Sequence, residues 1–370
     1  MNMSQQMMNS LVAKYANHLG AAASVVGLVT SMFAVTALIF KIVSGPAIDA
    51  FNRKWILAGA MCIMATAYFG YSLSNSVPML IASRLIQGTG QAFTATCCLA
   101  LAADTLPPEK YGSGIGIFSM AQAAAQAIGP TVALTLVNAV GYNATFAIGG
   151  CIMLFAAFMA TRVNTSKIEY KPFKITFDNV FAKEAVMPAV MLFFLAMTFC
   201  VINSFLIIFG GEQGVENIGY YFTVYAATLL VTRPMIGKLT DRFGLVKILI
   251  PALFCFAGSF MIISISDSLW MFLLAAFVAA FGYGACQPAF QTLCMKCVPV
   301  ERRGAGSSTN YIGNDLGQLV GPIVAGALVE SFGYASMWRL MTVPVGIAAV
   351  VALCFSGRIA EVEASFKENQ

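Results

Sequence analysis

The sequence is poor in charged residues and almost without histidine. Only 10% of its 370 residues are charged, whereas 59% are hydrophobic, and the mean hydropathy is +0.80. A soluble domain carries about 25% charged residues, so this surface cannot face water everywhere. The single histidine and one C-x-x-C pair, Cys294 and Cys297, are too few to predict a metal site or a cofactor. No phosphate-binding loop or hydrolytic motif is present, which argues against an enzyme.

Long apolar runs are what the sequence has in abundance. Each is long enough to cross a bilayer core of about 30 Å, which predicts an all-α, polytopic membrane protein. The predicted spans are 25–48, 55–73, 79–103, 112–140, 142–161, 185–209, 217–236, 247–266, 270–295, 304–330 and 334–357. Residues 1–16 are amphipathic and too short to cross alone, so we expect a truncated first helix.

The chain repeats itself at a constant offset of 192 residues. This offset pairs Gly45 with Gly237 and Asp49 with Asp241. It also pairs Gly129-Pro130 with Gly321-Pro322 and Gly141-Tyr142 with Gly333-Tyr334. The repeat predicts two pseudo-symmetric six-helix halves, 1–161 and 185–357, joined by a cytoplasmic loop, 162–184, and followed by a tail, 358–370. Inverted or parallel repeats in an apolar chain are typical of secondary transporters.

The positive charges are distributed unequally between the predicted loops. Sixteen lysines and arginines fall in loops on one side, against Lys14 alone on the other. This bias places the basic loops and both termini in the cytoplasm of a cell (plasma or inner) membrane. The net charge of +5 therefore reflects the lipid bilayer and gives no reason to expect a nucleic-acid partner.

A charged stretch follows the second and eighth predicted helices. It reads G-P-A-I-D-A-F-N-R-K from Gly45 and G-K-L-T-D-R-F-G-L-V-K from Gly237, and we expect a short cytoplasmic loop in each case. The pattern G-x-x-x-D-R-x-G resembles the signature loop of the major facilitator superfamily. The resemblance implies that Asp49 and Asp241 help to latch the two halves on the cytoplasmic side. The candidate cytoplasmic gate comprises Gly45, Asp49, Arg53, Gly237, Asp241 and Arg242. The first copy departs from the pattern, with Ala50 for arginine and Asn52 for glycine.

The fourth helix contains R-L-I-Q-G-T-G-Q, in which Arg84, Gln87 and Gln91 share one helical face. Burying arginine in a membrane helix costs about 2.5–3.5 kcal/mol, so its presence suggests a functional role. The pattern R-x-x-Q-G-x-G resembles the superfamily's fourth-helix motif, which implies proton coupling. The alternative is a structural arginine that caps carbonyls or pairs with the first helix.

Two Gly-Pro pairs, Gly129-Pro130 and Gly321-Pro322, occupy the fifth and eleventh helices. Proline removes a backbone hydrogen bond, and the small neighbours permit close helix packing. The surrounding residues resemble the superfamily's antiporter signature, which implies export, although Ala125 and Ala133 replace glycines in the first copy.

One carboxylate, Asp315, lies deep in a predicted span, within a stripe that also contains Asn310, Tyr311, Asn314 and Gln318. Because burial favours the neutral acid, we hypothesise that Asp315 couples transport to protons, with Arg84 biasing its charge state or binding a substrate anion. The alternative is a salt-bridged or hydrogen-bonded structural aspartate. Further candidates for the substrate cavity, each equally a helix–helix hydrogen bond, are Gln5, Gln6, Asn9, Gln91, Gln126, Asn203, Tyr225, Tyr283 and Gln287.

The sequence thus predicts a monomeric, proton-coupled exporter of small amphipathic molecules, drugs or metabolites, that works by alternating access. One alternative is an importer of sugars or organic acids on the same fold. Another is a membrane receptor or pseudo-transporter that moves nothing, although such a protein would not need charged residues inside the membrane.

Overall fold

The computed structural model describes residues 1–105, 111–163, 181–298 and 303–368, and every regular element among them is helical. The helices are α1 (Asn2–His18), α2 (Ala23–Ala50), α3 (Arg53–Leu73), α4 (Val77–Thr105), α5 (Tyr111–Thr161), α6 (Val186–Glu212), α7 (Tyr220–Phe243), α8 (Leu245–Ser264), α9 (Leu269–Lys296), α10 (Arg303–Leu340), α11 (Thr342–Cys354) and α12 (Ser356–Glu368). A single 3₁₀ turn, Lys183–Ala185, precedes α6. Residues 164–180 of the predicted central loop lie outside the described residues.

The chain divides into two compact units, Met1–Ile175 and Thr176–Gln370. In the first unit α4 packs on α2 and α3, and α1 packs on α5. In the second unit α9 packs on α7 and α8, and α10 packs on α6. These are the same three pairings, because the 192-residue offset relates α1–α5 to α6–α10. The repeat in the sequence is therefore also a repeat of helix packing.

Helices α5 and α10 each contain two predicted spans joined by one glycine. Gly141 has φ 80° and ψ 173°, and Gly333 has φ 77° and ψ 169°. This combination of a positive φ and an extended ψ is open essentially to glycine alone. The backbone therefore turns at one residue, and a longer loop is not needed between the adjacent spans.

The charged stretches after Gly45 and Gly237 are not loops, and this prediction was wrong. Helix α2 continues through Asp49 to Ala50, and α7 continues through Asp241 to Phe243. Between Gly237 and Phe243 no residue costs a helix more than about 0.7 kcal/mol relative to alanine, so none of them has to end it. The chain turns only at Gly244, whose φ is 86°.

Seven helical stretches among the described residues are long and apolar enough to cross a membrane. Two of them, Ala124–Thr161 and Ser308–Cys354, run across the glycine turns of α5 and α10. Helices α1, α4 and α7 are not among the seven.

Replacing Gly333 with alanine should destabilise the protein by about 1–3 kcal/mol, because the new side chain forces an unfavourable backbone conformation. A Cβ atom at this position has nothing within 4 Å, so a steric clash would not contribute. Gly346→Ala is the matched control, since Gly346 lies inside α11 and is equally unobstructed. The measurement is the apparent Tm of each purified variant in detergent. Equal Tm values for the two variants would show that the turn does not require glycine.

Candidate functional site

Two glycines hold α4 close to its neighbours. A Cβ atom on Gly88 would collide with the Phe33 carbonyl of α2, and one on Gly90 would lie 2.5 Å from the Ala60 carbonyl of α3. Small residues allow helix backbones to approach in this way. Arg84 lies one turn before Gly88, so the same packing that fixes α4 also fixes where the arginine enters the first unit.

Arg84 is 1% exposed and belongs to a hydrogen-bonded cluster that joins three helices. Its Nη1 donates to Gln87 Oε1 at 2.9 Å and to Asn9 Oδ1 at 3.1 Å. Tyr71 donates its hydroxyl to the same Gln87 oxygen at 2.5 Å, and Gln87 Nε2 lies 3.4 Å from Asn9 Oδ1. We call Asn9, Tyr71, Arg84 and Gln87 the arginine cluster. The predicted shared face of Arg84 and Gln87 is thereby built into one network.

In the arginine cluster the buried guanidinium has only neutral hydrogen-bond acceptors among the described residues. The Arg84 guanidinium carbon lies 5.4 Å from the centre of the Phe33 ring and 5.9 Å from that of Tyr71, within range of cation–π attraction. Its Nε is buried without a hydrogen-bond partner among the described residues, as is the hydroxyl of Tyr68. No carboxylate contacts the guanidinium in the part of the chain that the structure describes. The cluster is thus cationic overall.

Asp315 lies in the second unit on α10 and is 8% exposed. Asn314 donates its Nδ2 to Asp315 Oδ1 at 3.2 Å. Asn310 is buried, and its Oδ1 lacks a partner among the described residues, whereas Tyr311 and Gln318 are half-buried. The predicted stripe therefore exists as a partly buried polar strip along one helix.

A row of glycines presses α10 onto α6 beside this strip. Cβ atoms on Gly313, Gly317 and Gly321 would collide with the main chain of α6 at Ala189, Phe193 and Met197. In the first unit Gly129 also packs on α1, where a Cβ atom added to it would lie 2.8 Å from Gln6 Cβ. Both predicted Gly-Pro pairs, Gly129-Pro130 and Gly321-Pro322, lie inside continuous helix. Their glycines therefore set helix separation and hold Asp315 beside a rigid seam.

Aromatic side chains form a second feature of the second unit. The rings of Phe199 and Tyr283 stack with centroids 3.9 Å apart, and Tyr225 lies 5.8 Å from Phe199. One turn beyond Tyr283, Gln287 accepts a hydrogen bond of 3.5 Å from Arg233 Nη2. We call Phe199, Tyr225 and Tyr283 the aromatic cluster. Three predicted cavity residues, Tyr225, Tyr283 and Gln287, are thus brought together on neighbouring helices.

Other predicted cavity residues remain separate from these clusters. Gln5, Gln6, Gln91, Gln126 and Asn203 are half-buried. Among the described residues no side-chain hydrogen bond links them to the arginine cluster or the aromatic cluster, and the Gln91 Oε1 is buried without a partner.

The predicted cytoplasmic gate is only partly visible. The side chains of five gate residues lie outside the described residues, namely Gly45, Asp49, Gly237, Asp241 and Arg242. Arg53 is described, and its Nε donates to the Ile48 carbonyl at 3.2 Å, which ties the start of α3 to the end of α2. The gate therefore stays a prediction.

Several residues of the two clusters were not singled out from the sequence. Asn9 was expected only as one of many cavity residues, and Tyr71, Phe199 and Arg233 were not predicted to belong to the site. Arg233 could have been predicted from the sequence, since it is a charged residue in an apolar helix. Tyr71 and Phe199 could not, because aromatic residues are abundant in membrane helices and only their neighbours in the structure distinguish these two.

Comparison with known proteins identifies the family. The model of the Major Facilitator Superfamily matches residues 1–217 and again residues 186–369. The chain belongs to the major facilitator superfamily. It is accordingly a multi-pass membrane transporter with an all-helical fold, as the resemblance in its signature stretches implied.

Two relatives at low identity are multidrug resistance proteins. The chain is 24% identical to the multi-drug resistance efflux pump PmrA of Streptococcus pneumoniae, covering 88% of this chain and 85% of the pump. It is also 24% identical to multidrug resistance protein 1 of Bacillus subtilis, covering 91% and 89% of the two chains.

Solved structures share the fold at still lower identity. The nucleoside transporter NupG superposes with a TM-score of 0.79 at 12% identity, over 95% of this chain and 97% of that one. A bacterial homologue of the human lysosomal transporter Spinster has a TM-score of 0.79 at 17% identity, over 98% and 95%. At these identities the likeness describes the fold and leaves the substrate open.

Replacing Gln87 with leucine should destabilise the first unit by about 1–3 kcal/mol, because Tyr71 and Arg84 would lose a shared acceptor while remaining buried. Tyr71→Phe should cost less, since Gln87 would still accept from Arg84 and no buried polar group would lose its partner. The measurement is again the apparent Tm in detergent. A Gln87→Leu protein as stable as Tyr71→Phe would mean that this acceptor does not hold the cluster together.

Proposed function

We propose that the protein exports small amphipathic molecules in exchange for protons, by alternating access. The observation that carries the proposal is the buried carboxylate of Asp315, on a helix within the apolar stretch Ser308–Cys354. A charged carboxyl group at such a site is costly, which suggests that it has a functional role. The names of the efflux relatives support export.

Asp315 is the proton carrier in this proposal. Its Oδ1 accepts a hydrogen bond of 3.2 Å from the amide of Asn314. A proton taken from the outer side protonates the carboxylate, and its later release to the cytoplasm restores it. One proton thus moves inward while the substrate moves outward. The glycine seam of α10 on α6 keeps the carboxyl group in a fixed position during both steps.

Arg84 supplies a fixed positive charge to the first unit in the same proposal. Its guanidinium cannot lose its proton near neutral pH, so it acts on charged substrates and not as a proton carrier. The gate residues Asp49, Arg53, Asp241 and Arg242 would close the cytoplasmic side. The positive-inside bias supports a cytoplasmic location for them and for both termini.

Asp315→Asn should abolish uphill transport, because the amide cannot take up and release a proton at physiological pH. In inverted membrane vesicles with an acidic lumen, an exporter accumulates fluorescent dyes inside as protons leave. The variant should lose this accumulation and keep dye exchange in the absence of a gradient. Asp267→Asn is the matched control, since Asp267 is exposed between α8 and α9 and should behave as the wild type.

Accumulation that survives unchanged in Asp315→Asn would remove this residue from the coupling mechanism. Wild-type vesicles that accumulate dye only with an alkaline lumen would instead indicate proton-coupled import.

A further inference from the structure

The buried arginine of the first unit rests on neutral amides, because Arg84 donates to Asn9 and Gln87. A buried cation is ordinarily paired with a carboxylate, since an uncompensated charge away from water is costly. Neutral amides satisfy hydrogen bonds but leave the charge in place. The arginine cluster therefore retains a net positive charge.

Within the described helices of residues 1–163, no carboxylate lies near Arg84. Residues 1–163 contain only three acids, namely Asp49, Asp104 and Glu109. Asp104 lies twenty residues along α4 from Arg84, a distance of about 30 Å in a helix. Asp49 lies sixteen residues from Phe33, the α2 residue beside the guanidinium, which is about 24 Å. Glu109 follows the end of α4 and lies outside the described residues.

The residue at position 9 decides whether the arginine cluster has a net charge. Its Oδ1 lies 3.1 Å from Arg84 Nη1, which is also the separation expected for an ion pair. Aspartate has the same shape as asparagine, so an aspartate here would neutralise the arginine without moving any helix. The chain has asparagine instead, and the positive charge stays uncompensated.

We propose that the molecules bound and transported are organic anions, and that Asn9 sets this preference. The inference rests on the proposed export function, because it names the substrate class of that same activity. It predicts that a negative substituent adds to affinity and a positive one subtracts from it, by Coulomb interaction with a centre of fixed charge.

The test is equilibrium binding to purified protein in nanodiscs, with protein-free nanodiscs as the blank. The probes are matched pairs, an aryl carboxylate and the arylmethylamine of the same skeleton, built on naphthalene, biphenyl and anthracene. The wild type should bind at least one carboxylate roughly tenfold or more tightly than the arylmethylamine of the same skeleton. If no carboxylate is preferred over its matched amine, or if amines are preferred, the proposal is overturned.

Variants locate the preference at Asn9. Asn9→Asp should abolish or reverse it, whereas Asn9→Leu, which removes the amide without adding charge, should not gain affinity for amines. Asn17→Asp makes the same change at an exposed position near the end of α1 and should keep the wild-type preference. An unchanged preference in Asn9→Asp would overturn the role of Asn9. Arg84→Gln, which removes the charge itself, provides a second route if Asn9→Asp does not fold.

Binding needs no proton gradient, so the two proposals can fail separately. An anion preference without gradient-driven transport would contradict the proposed function alone. Proton-driven export of dyes by a protein that prefers amines would contradict this inference alone.

Discussion

The desolvated charge of Arg84 constrains the whole first unit. A guanidinium that is 1% exposed needs acceptors at defined positions, and three helices supply or support them. Asn9 comes from α1, Tyr71 from α3 and Gln87 from α4 itself. These groups meet only because Gly88 and Gly90 let α4 approach its neighbours to backbone contact. The electrostatics of the site therefore depend on packing that contains no charge.

Gene duplication supplied one scaffold twice, and each copy has kept a different charged residue. The repeat partner of Arg84 is Ala276, and the partner of Asp315 is Ala123. The helix pairings and the glycine turns at Gly141 and Gly333 are nevertheless the same in both units. Architecture is thus conserved between the halves, while a fixed cation belongs to one and a titratable acid to the other.

Close helix contact is the device that both units share. Gly129 meets α1 in the first unit, and Gly313, Gly317 and Gly321 meet α6 in the second. The second seam is the tighter one, because the first copy has alanine at two of the three positions, Ala121 and Ala125. Apolar lipid gives helices little hydrophobic reason to associate, so van der Waals contact along such seams carries the packing. A seam of this kind holds Asp315 in position.

The sequence by itself determined the helical membrane fold, the duplication and the family, because apolar length and a fixed repeat offset are properties of the linear chain. It also singled out Arg84, Gln87 and Asp315, since polar residues in apolar helices are costly wherever they point. Only the tertiary structure decided their partners. Asn9 lies 75 residues before Arg84, and Phe199 lies on a different helix from Tyr283. No local periodicity links residues on separate helices, so contact between them is set by how the helices pack.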